Sequence, residues 1–277
     1  MASSLIVLIQ PAAGSTATAQ AQRGALAALR DSEFALALYE AEAESPYLLA
    51  ELRRYLEVHR PQSAILLPPL SVIAGIADLC IELGTRPVRL APGGLAGPAA
   101  TLCSNDRQAA ADATTYLIAL GHQRIGFIAG PEDCPSAIAC ELGFIDALAA
   151  HELDRGAELV AASDGSFASG EAAARLLLEV SPRPTAIFAA SDELAAGALK
   201  AALALGIDIP GALSVIGFGD TILTAQLPLP LSSVQIPHSE MAFAAAIELI
   251  GAPSAPPQPA EFFGTLVARG SSGPAPT

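Results

Sequence analysis

A rhythm constrains this chain more than any single residue does. Short apolar runs alternate with longer stretches of helical apolar spacing, and the alternation runs through twice. In the first half, strand candidates at Leu5–Ile9, Phe34–Tyr39, Ala64–Leu67 and Pro87–Leu90 are separated by helix candidates at Thr16–Arg30, Tyr47–His59 and Val72–Leu83. Pro68-Pro69 ends the third strand, Gly84 stops the third helix, and Ala91–Ala100 reads as a Gly/Pro loop. The pattern then restarts. Helices at Asp106–Leu120, Ser136–Ala150, Ser169–Val180 (Ser169 as N-cap) and Ser191–Leu205 surround strands at Arg124–Ala129, Glu158–Ala162, Thr185–Ala189 and Leu213–Phe218. Strands alternating with helices of this length build βαβ units on parallel sheets.

The last stretch breaks the rhythm. A strand at Ser233–Ile236, a helix at Ser239–Ile250, a Pro-rich loop at Ala252–Ala260 and a strand at Phe262–Ala268 are too little for a third domain. They complete the two sheets already built, so the chain must cross between domains and the module is a hinged pair. The expected architecture is α/β, with two doubly wound parallel-sheet lobes joined by crossovers. The first lobe takes residues 1–120 with 236–250, the second 121–235 with 251–277. Doubly wound sheets bind ligands at the carboxyl ends of their strands, which makes the cleft between the lobes the expected site.

Composition narrows the function. At about 150 residues per domain, 277 residues suit two domains, and a hydrophobic fraction of 52% supplies both cores. Fourteen basic residues stand against 28 acidic ones, giving a net charge of −14, and Lys200 is the only lysine. Such a surface repels phosphates, which are gripped by Lys and Arg, so the chain by itself is not expected to bind DNA. The apolar run Leu5–Ile9 is shorter than the about 7–15 residues of a signal sequence core, and no run reaches the roughly 18 needed to span a bilayer. A cytoplasmic location with no membrane partner is expected.

Catalytic and metal motifs are sparse. Cys80, Cys103, Cys134 and Cys140 form no C-x-x-C and have no histidine at metal-ligand spacing, so they read as reduced thiols, with no metal and no cofactor. Gly217-Phe218-Gly219-Asp220 lacks the second half of a dinucleotide fingerprint and the lysine of a phosphate loop. No G-x-S-x-G elbow occurs, and His59, His122, His151 and His238 are scattered. His122 lies just past a helix end, where it can cap carbonyls or meet the dipole. The acid pairs Glu42/Glu44 and Asp31/Glu33 read as solvated surface. Nothing assembles a nucleophile, a base and an orienting group, so no enzyme is expected.

Four segments carry a family resemblance. Leu120-Gly121-His122-Gln123-Arg124-Ile125 resembles the LGHxxI segment of the LacI/GalR transcriptional regulators. Ala190-Ser191-Asp192-Glu193-Leu194-Ala195-Ala196-Gly197 resembles their A-N-D-x-x-A-x-G helix start. Gly206 to Pro210 with Leu213 to Phe218 resembles their G-x-x-x-P-x-x-(I/L)-S-V-(V/I)-G-(F/Y) stretch, and Leu266-Val267-Ala268-Arg269-Gly270-Ser271 their L-V-x-R-x-S ending. Order and spacing hold along nearly the whole chain. The resemblance implies a periplasmic-binding-protein-like type I fold that closes on a small-molecule effector, sugar-like or less polar. It also implies a homodimer, and operator DNA bound only through a headpiece that precedes such a core and has no counterpart here. A solute-binding protein of a transport system is the alternative, disfavoured by the lack of a secretion signal and by the L-V-x-R-x-S ending.

Departures from the pattern fall on the polar positions. An Asp matches Asn105, followed by Asp106. An Arg matches Cys140, the Asn of A-N-D matches Ser191, and the first Asp of G-F-D-D matches Gly219, leaving Asp220. Fewer charge-assisted contacts to hydroxyls imply a less polar effector or a weakened response. Cys140 reads equally as a small apolar helix residue and as a thiol in the cleft. Phe167, placed in the loop before a helix, reads equally as a core staple and as a ring offered to a ligand. The candidate effector-binding set is Gln10, Ser15, Asn105, Asp106, Cys140, Phe167, Ser191, Asp192, Gly219 and Asp220. Helices 47–59 and 72–83 carry apolar residues beyond one narrow face, a surplus that a dimer interface would use.

Overall fold

Strand pairing in the computed structural model, which describes residues 4–12, 14–94, 97–251 and 260–276, divides the chain into two α/β units. The first comprises Met1–Ser104 and Pro237–Phe262, the second Asn105–Ile236 and Phe263–Thr277. The chain therefore passes between them three times.

The first unit begins β1 (Leu5–Pro11), α1 (Thr16–Leu29), β2 (Ala35–Ala41), α2 (Leu48–His59) and β3 (Ser63–Leu66). It continues with α3 (Ile76–Glu82), β4 (Arg86–Pro92) and β5 (Ala100–Ser104). The second runs α4 (Asp106–Ala119), β6 (Ile125–Ile128), α5 (Pro135–Ala150), β7 (Val160–Ala161), α6 (Phe167–Glu179), β8 (Ala186–Ala189) and α7 (Asp192–Ala204). Its remaining elements are β9 (Ser214–Gly219), α8 (Ile222–Gln226) and β10 (Ser232–Gln235). The chain returns to the first unit for α9 (His238–Ile250) and β11 (Ala260–Phe262), then supplies β12 (Thr265–Val267) to the second.

The first sheet is ordered β11-β5-β4-β3-β1-β2 and is parallel throughout. The second, β12-β10-β9-β8-β6-β7, is parallel except for the antiparallel edge pair β10–β12. Helices cover both faces of such sheets, so central strands read as continuous apolar runs; every residue of β3, β6 and β8 is buried. In the first unit, Leu48, Leu52 and Leu56 of α2 recur at helical spacing and pack on Val7, Ile9 and Leu66. Burying each such leucine contributes about 1.5–3 kcal/mol. The second core joins Leu177, Ile187, Leu199 and Val215, with Phe127 stacked on Phe144 at 4.8 Å between ring centroids.

Several expectations need correction. The domain boundary lies at Ser104 rather than at residue 120, because α4 packs on α5, so closely that a Cβ on Gly143 would stand 2.0 Å from the Arg107 carbonyl oxygen. The stretch read as one helix over 72–83 is a 3-10 turn at Leu70–Val72 and then α3, separated at Gly75, whose φ of +89° interrupts helical backbone. Residues 100–104 form β5, and 222–226 form α8; neither was expected. The single final strand splits into β11 and β12, which enter different sheets. At the split, a Cβ on Gly264 would meet Ala109 and Ile236 side chains at 2.9 Å, so the passage needs a residue without one. Ser166, not Ser169, caps α6 by accepting the Ser169 N–H, and Phe167 opens that helix rather than lying in the loop before it. Of the Pro-rich loop, residues 252–259 lie outside the described residues, as do 95–96 of the earlier Gly/Pro loop.

Candidate functional site

In a sheet whose strand order reverses, the loops after adjacent strands diverge to opposite faces and leave a crevice at the carboxyl ends. The reversal falls between β1 and β3 in the first unit and between β6 and β8 in the second.

At the first reversal, Gln10 ends β1 with 1% of its surface exposed. Its amide is held at both ends: Gln22 Nε2 donates to Gln10 Oε1 at 2.8 Å, and Gln10 Nε2 donates to Glu40 Oε1 at 3.2 Å. Ser15 caps α1, its Oγ accepting the Thr18 N–H at 3.1 Å. Both residues serve the local frame of β1, α1 and β2.

In the second unit, Asn105 caps α4 by accepting the Gln108 N–H at 3.1 Å, and the buried Asp106 accepts the Ser136 hydroxyl at 2.5 Å, tying the start of α4 to that of α5. Cys140 has no exposed surface. It shares the buried face of α5 with Phe144 and Ala147, the packing placement of the two that its sequence allowed. Burial pushes its thiol well above the usual range, with Asp106, Glu141 and Cys134 adding to the rise, so it stays protonated and is no nucleophile. All four cysteines are free.

Ser191 caps α7, accepting the Leu194 N–H at 3.2 Å. The neighbouring Asp192 is fully buried; Ser233 Oγ donates to its Oδ1 at 2.5 Å and the Thr221 N–H to its Oδ2 at 2.6 Å. Burial raises its pKa while these two partners lower it. Both carboxylate oxygens are thus committed to holding the ends of β9 and β10 against α7. Gly219 has φ +120°, which L side chains rarely adopt, so the absence of a carboxylate there is matched by the backbone. The Asp220 carboxylate is paired with Arg269 at 2.7 Å and also accepts the Thr224 hydroxyl at 3.0 Å.

The His122 backbone N–H caps the Leu117 carbonyl of α4 at 3.2 Å, but its ring turns to other partners. Its Nδ1 lies 2.9 Å from Thr185 Oγ1, and its Nε2 lies 3.1 Å from Ser214 Oγ and 3.0 Å from the Gly273 carbonyl. Burial lowers its pKa against the raising effect of Gly273. The ring joins the starts of β8 and β9 to the C-terminal tail, a structural role reached through partners that sequence spacing did not reveal.

What sequence reasoning missed is a cavity of about 760 Å³ at the carboxyl ends of β6 and β7, lined by Pro131, Ala137, Ile138, Val160 and Ala162. Glu132, Glu141, Ser163 and Asp164 add polar groups. The available signal was only that residues 129–132 and 162–164 directly follow two parallel strands, beside rather than at the β6–β8 reversal. Phe167 does not reach this cavity. Its ring sits 5.5 Å from Lys200 Nζ in a separate groove with Leu199, Leu203, Leu227 and Leu229. Among the described residues, no cluster of three His, Cys, Asp or Glu side chains is arranged to hold a metal ion, and no helix is long and apolar enough to cross a membrane.

The sequence family described as a periplasmic binding protein-like domain matches residues 114–272. The HTH-type transcriptional regulator AscG of Escherichia coli is 36% identical over 169 residues, 60% of this chain and 50% of that protein. The chain spans about half the length of the curated relatives it matches. Among solved structures, a transcriptional regulator CelR–cellobiose complex superposes with a TM-score of 0.82 at 26% identity, covering 97% of this chain and 84% of that one. A LacI family transcriptional regulator from Mycobacterium smegmatis superposes with a TM-score of 0.79 at 25% identity, covering 98% of this chain and 100% of the other.

Proposed function

This chain belongs to the periplasmic binding protein-like domain family, and on that premise we propose that it is the effector-binding and dimerisation module of a LacI/GalR-type transcriptional regulator. The observation that carries the reading is the repeated sheet: two units of one strand order, each completed by a strand or helix supplied after a crossing. A small molecule that binds two linked units differently in their two arrangements shifts the balance between them, and that shift is the signal. The cellobiose complex of one structural neighbour supports a small-molecule effector, and curated relatives that are transcriptional regulators, AscG and CytR among them, favour this reading over a transport solute-binding protein. The module acts by binding rather than catalysis, in the cytoplasm. Operator contact is assigned to a headpiece outside these 277 residues, because a net charge of −14 repels phosphate.

The effector contacts are proposed at the strand ends, where Gln10, Ser15, Asn105, Asp106, Ser191, Asp192, Gly219 and Asp220 hold strand ends and helix starts in place; Cys140, on the buried face of α5, drops out of the candidate set. Phe167 is reassigned to self-association. It lies with Leu203, 62% exposed, on an apolar groove of about 610 Å³, while Tyr47, Leu49, Val58 and Ile81 of the first unit expose further apolar surface. Thermal-shift measurements across sugars, nucleosides and amines test the effector reading: at least one class should raise the melting temperature, and keep raising it with the logarithm of ligand concentration above its Kd. Light scattering should give a dimer, and a monomer at micromolar concentration overturns the dimer assignment.

A further inference from the structure

We propose that the cavity at the carboxyl ends of β6 and β7 selects an effector with an apolar body and a cationic amine or guanidine group, rather than a neutral sugar. The inference rests on the effector-binding reading and names its ligand class.

The argument begins with size and walls. A cavity of about 760 Å³ falls within the roughly 300–1,000 Å³ of ordinary small-molecule sites. Pro131, Ala137, Val160 and Ala162 give it an apolar lining, and Ile138 leaves 45% of its surface exposed beside it. A sugar would lay hydroxyls on those apolar walls and find acceptors only among Glu132, Glu141, Ser163 and Asp164. An alkyl or aromatic body would bury it.

Charge supplies the second half. Carboxylates elsewhere at the strand ends of this unit are spent internally. Asp192 is held by Ser233 and Thr221, and Asp220 by Arg269. At the cavity the balance differs: Glu132, Glu141 and Asp164 line it, and no lysine, arginine or histidine does. Glu141 is neutralised by Arg155 at 2.6 Å, which leaves Glu132 and Asp164. Asp164 is bonded only to neutral donors, its Oδ1 accepting the Ser166 N–H at 2.9 Å; the Ser169 and Ser166 hydroxyls hold its pKa down to about 2, so it is ionised at any working pH. The combination is an apolar pocket with uncompensated negative charge at its mouth. A cation on an apolar stem satisfies both halves at once. Ser163 is fixed by donating to the Ala129 carbonyl at 2.6 Å, which sets the loop carrying Asp164 against the end of β6.

Calorimetric titration of the 277-residue chain with benzylamine and its neutral isostere benzyl alcohol tests the assignment. The amine should bind about tenfold more tightly, the equivalent of one charge-assisted contact, and the preference should shrink with added salt. Glu132→Gln and Asp164→Asn should each reduce that preference, and the double variant should abolish it while leaving benzyl alcohol affinity unchanged, which separates lost charge from a damaged fold. Equal binding of the two probes, or a preference surviving in the double variant, overturns the inference. If cellobiose stabilises the chain and benzylamine does not, the ligand class is wrong and the effector reading stands. If no small molecule of any class stabilises it, the effector reading itself fails.

Discussion

The two units share one strand order and differ in what they bury at the ends of their strands. The first holds a neutral amide there, Gln10 between Gln22 and Glu40; the second holds a carboxylate, Asp192, between two hydrogen-bond donors, Ser233 and Thr221, while Arg269 serves Asp220. The sheet scaffold tolerates either solution. The lesson is that polar residues at strand ends are spent first on holding loops in place, and only those left over can recognise a ligand. By that measure the second unit retains spare charge at Glu132 and Asp164, and Gln10 of the first is already bonded at both ends of its amide.

Substitution at the two buried groups should expose the difference most strongly. Asp192→Ala leaves the Ser233 hydroxyl and the Thr221 N–H without their acceptor, and should cost about 3 kcal/mol, since hydrogen bonds to charged groups are each worth about 1.5–3. Gln10→Ala removes one amide–amide bond and one bond to the exposed carboxylate of Glu40, and should cost about 1 kcal/mol beyond its lost packing, because it strands no buried charge. Urea unfolding of each variant reads the contrast, and equal losses would erase it.

Next in size are the helix contacts that both units build on a glycine. An added Cβ would stand 1.9 Å from the Ser239 carbonyl oxygen at Gly24, where α1 meets α9, and 2.0 Å from that of Arg107 at Gly143, where α4 meets α5. Gly24→Ala and Gly143→Ala should each destabilise by about 2 kcal/mol, despite alanine's better helix propensity, because backbone cannot yield as a side chain can. Similar losses in thermal melts would mark the contacts as equivalent; a loss at one only would show that one unit relaxes more easily.

The smallest expected effect is a pH slope belonging to the second unit. His122 has its pKa lowered in the fold, chiefly by burial, so the unfolded chain takes up a proton first as pH falls. The stability contributed by the neutral ring is complete above about pH 6.5 and is lost progressively below it. In His122→Gln, the dependence of unfolding free energy on pH between about 6.5 and 5 should be shallower than in the parent chain, and an unchanged slope would remove His122 as its source.

Much of this was legible in advance. Apolar runs located β1, β3, β4, β6, β8, β9 and β10 because both faces of a central parallel strand are buried, which leaves a continuous apolar signature, and the edge strands β2 and β7 by their own shorter apolar content. The missed elements are those whose burial comes from elsewhere. Ala100–Ser104 follows a Gly/Pro stretch and becomes a strand through pairing with β4 and β11. Residues 262–268 look like one strand and are divided between two sheets at Phe263-Gly264. The candidate site was legible as positions but not as roles. Ser15, Asn105 and Ser191 were singled out as candidate effector contacts, and in the fold their side chains cap backbone N–H groups at helix starts. Asp192 and Asp220 were recognisable as acids, but not as acids already bonded.

The sequence by itself determined the class of fold, the count of two units and the regulator kinship, because periodicity, punctuation and ordered motifs are local properties of a chain. The family match, at 114–272, falls largely within the second unit, and the first repeats its strand order without that support. Tertiary structure alone decided that the units divide at Ser104, that Cys140 faces a core, that His122 ties β8 and β9 to the tail, and that a carboxylate-rimmed cavity opens beyond β6 and β7. Each of those depends on groups far apart in sequence meeting in space, and whether a charge is spent or spare is set by its partners rather than by its neighbours in the chain.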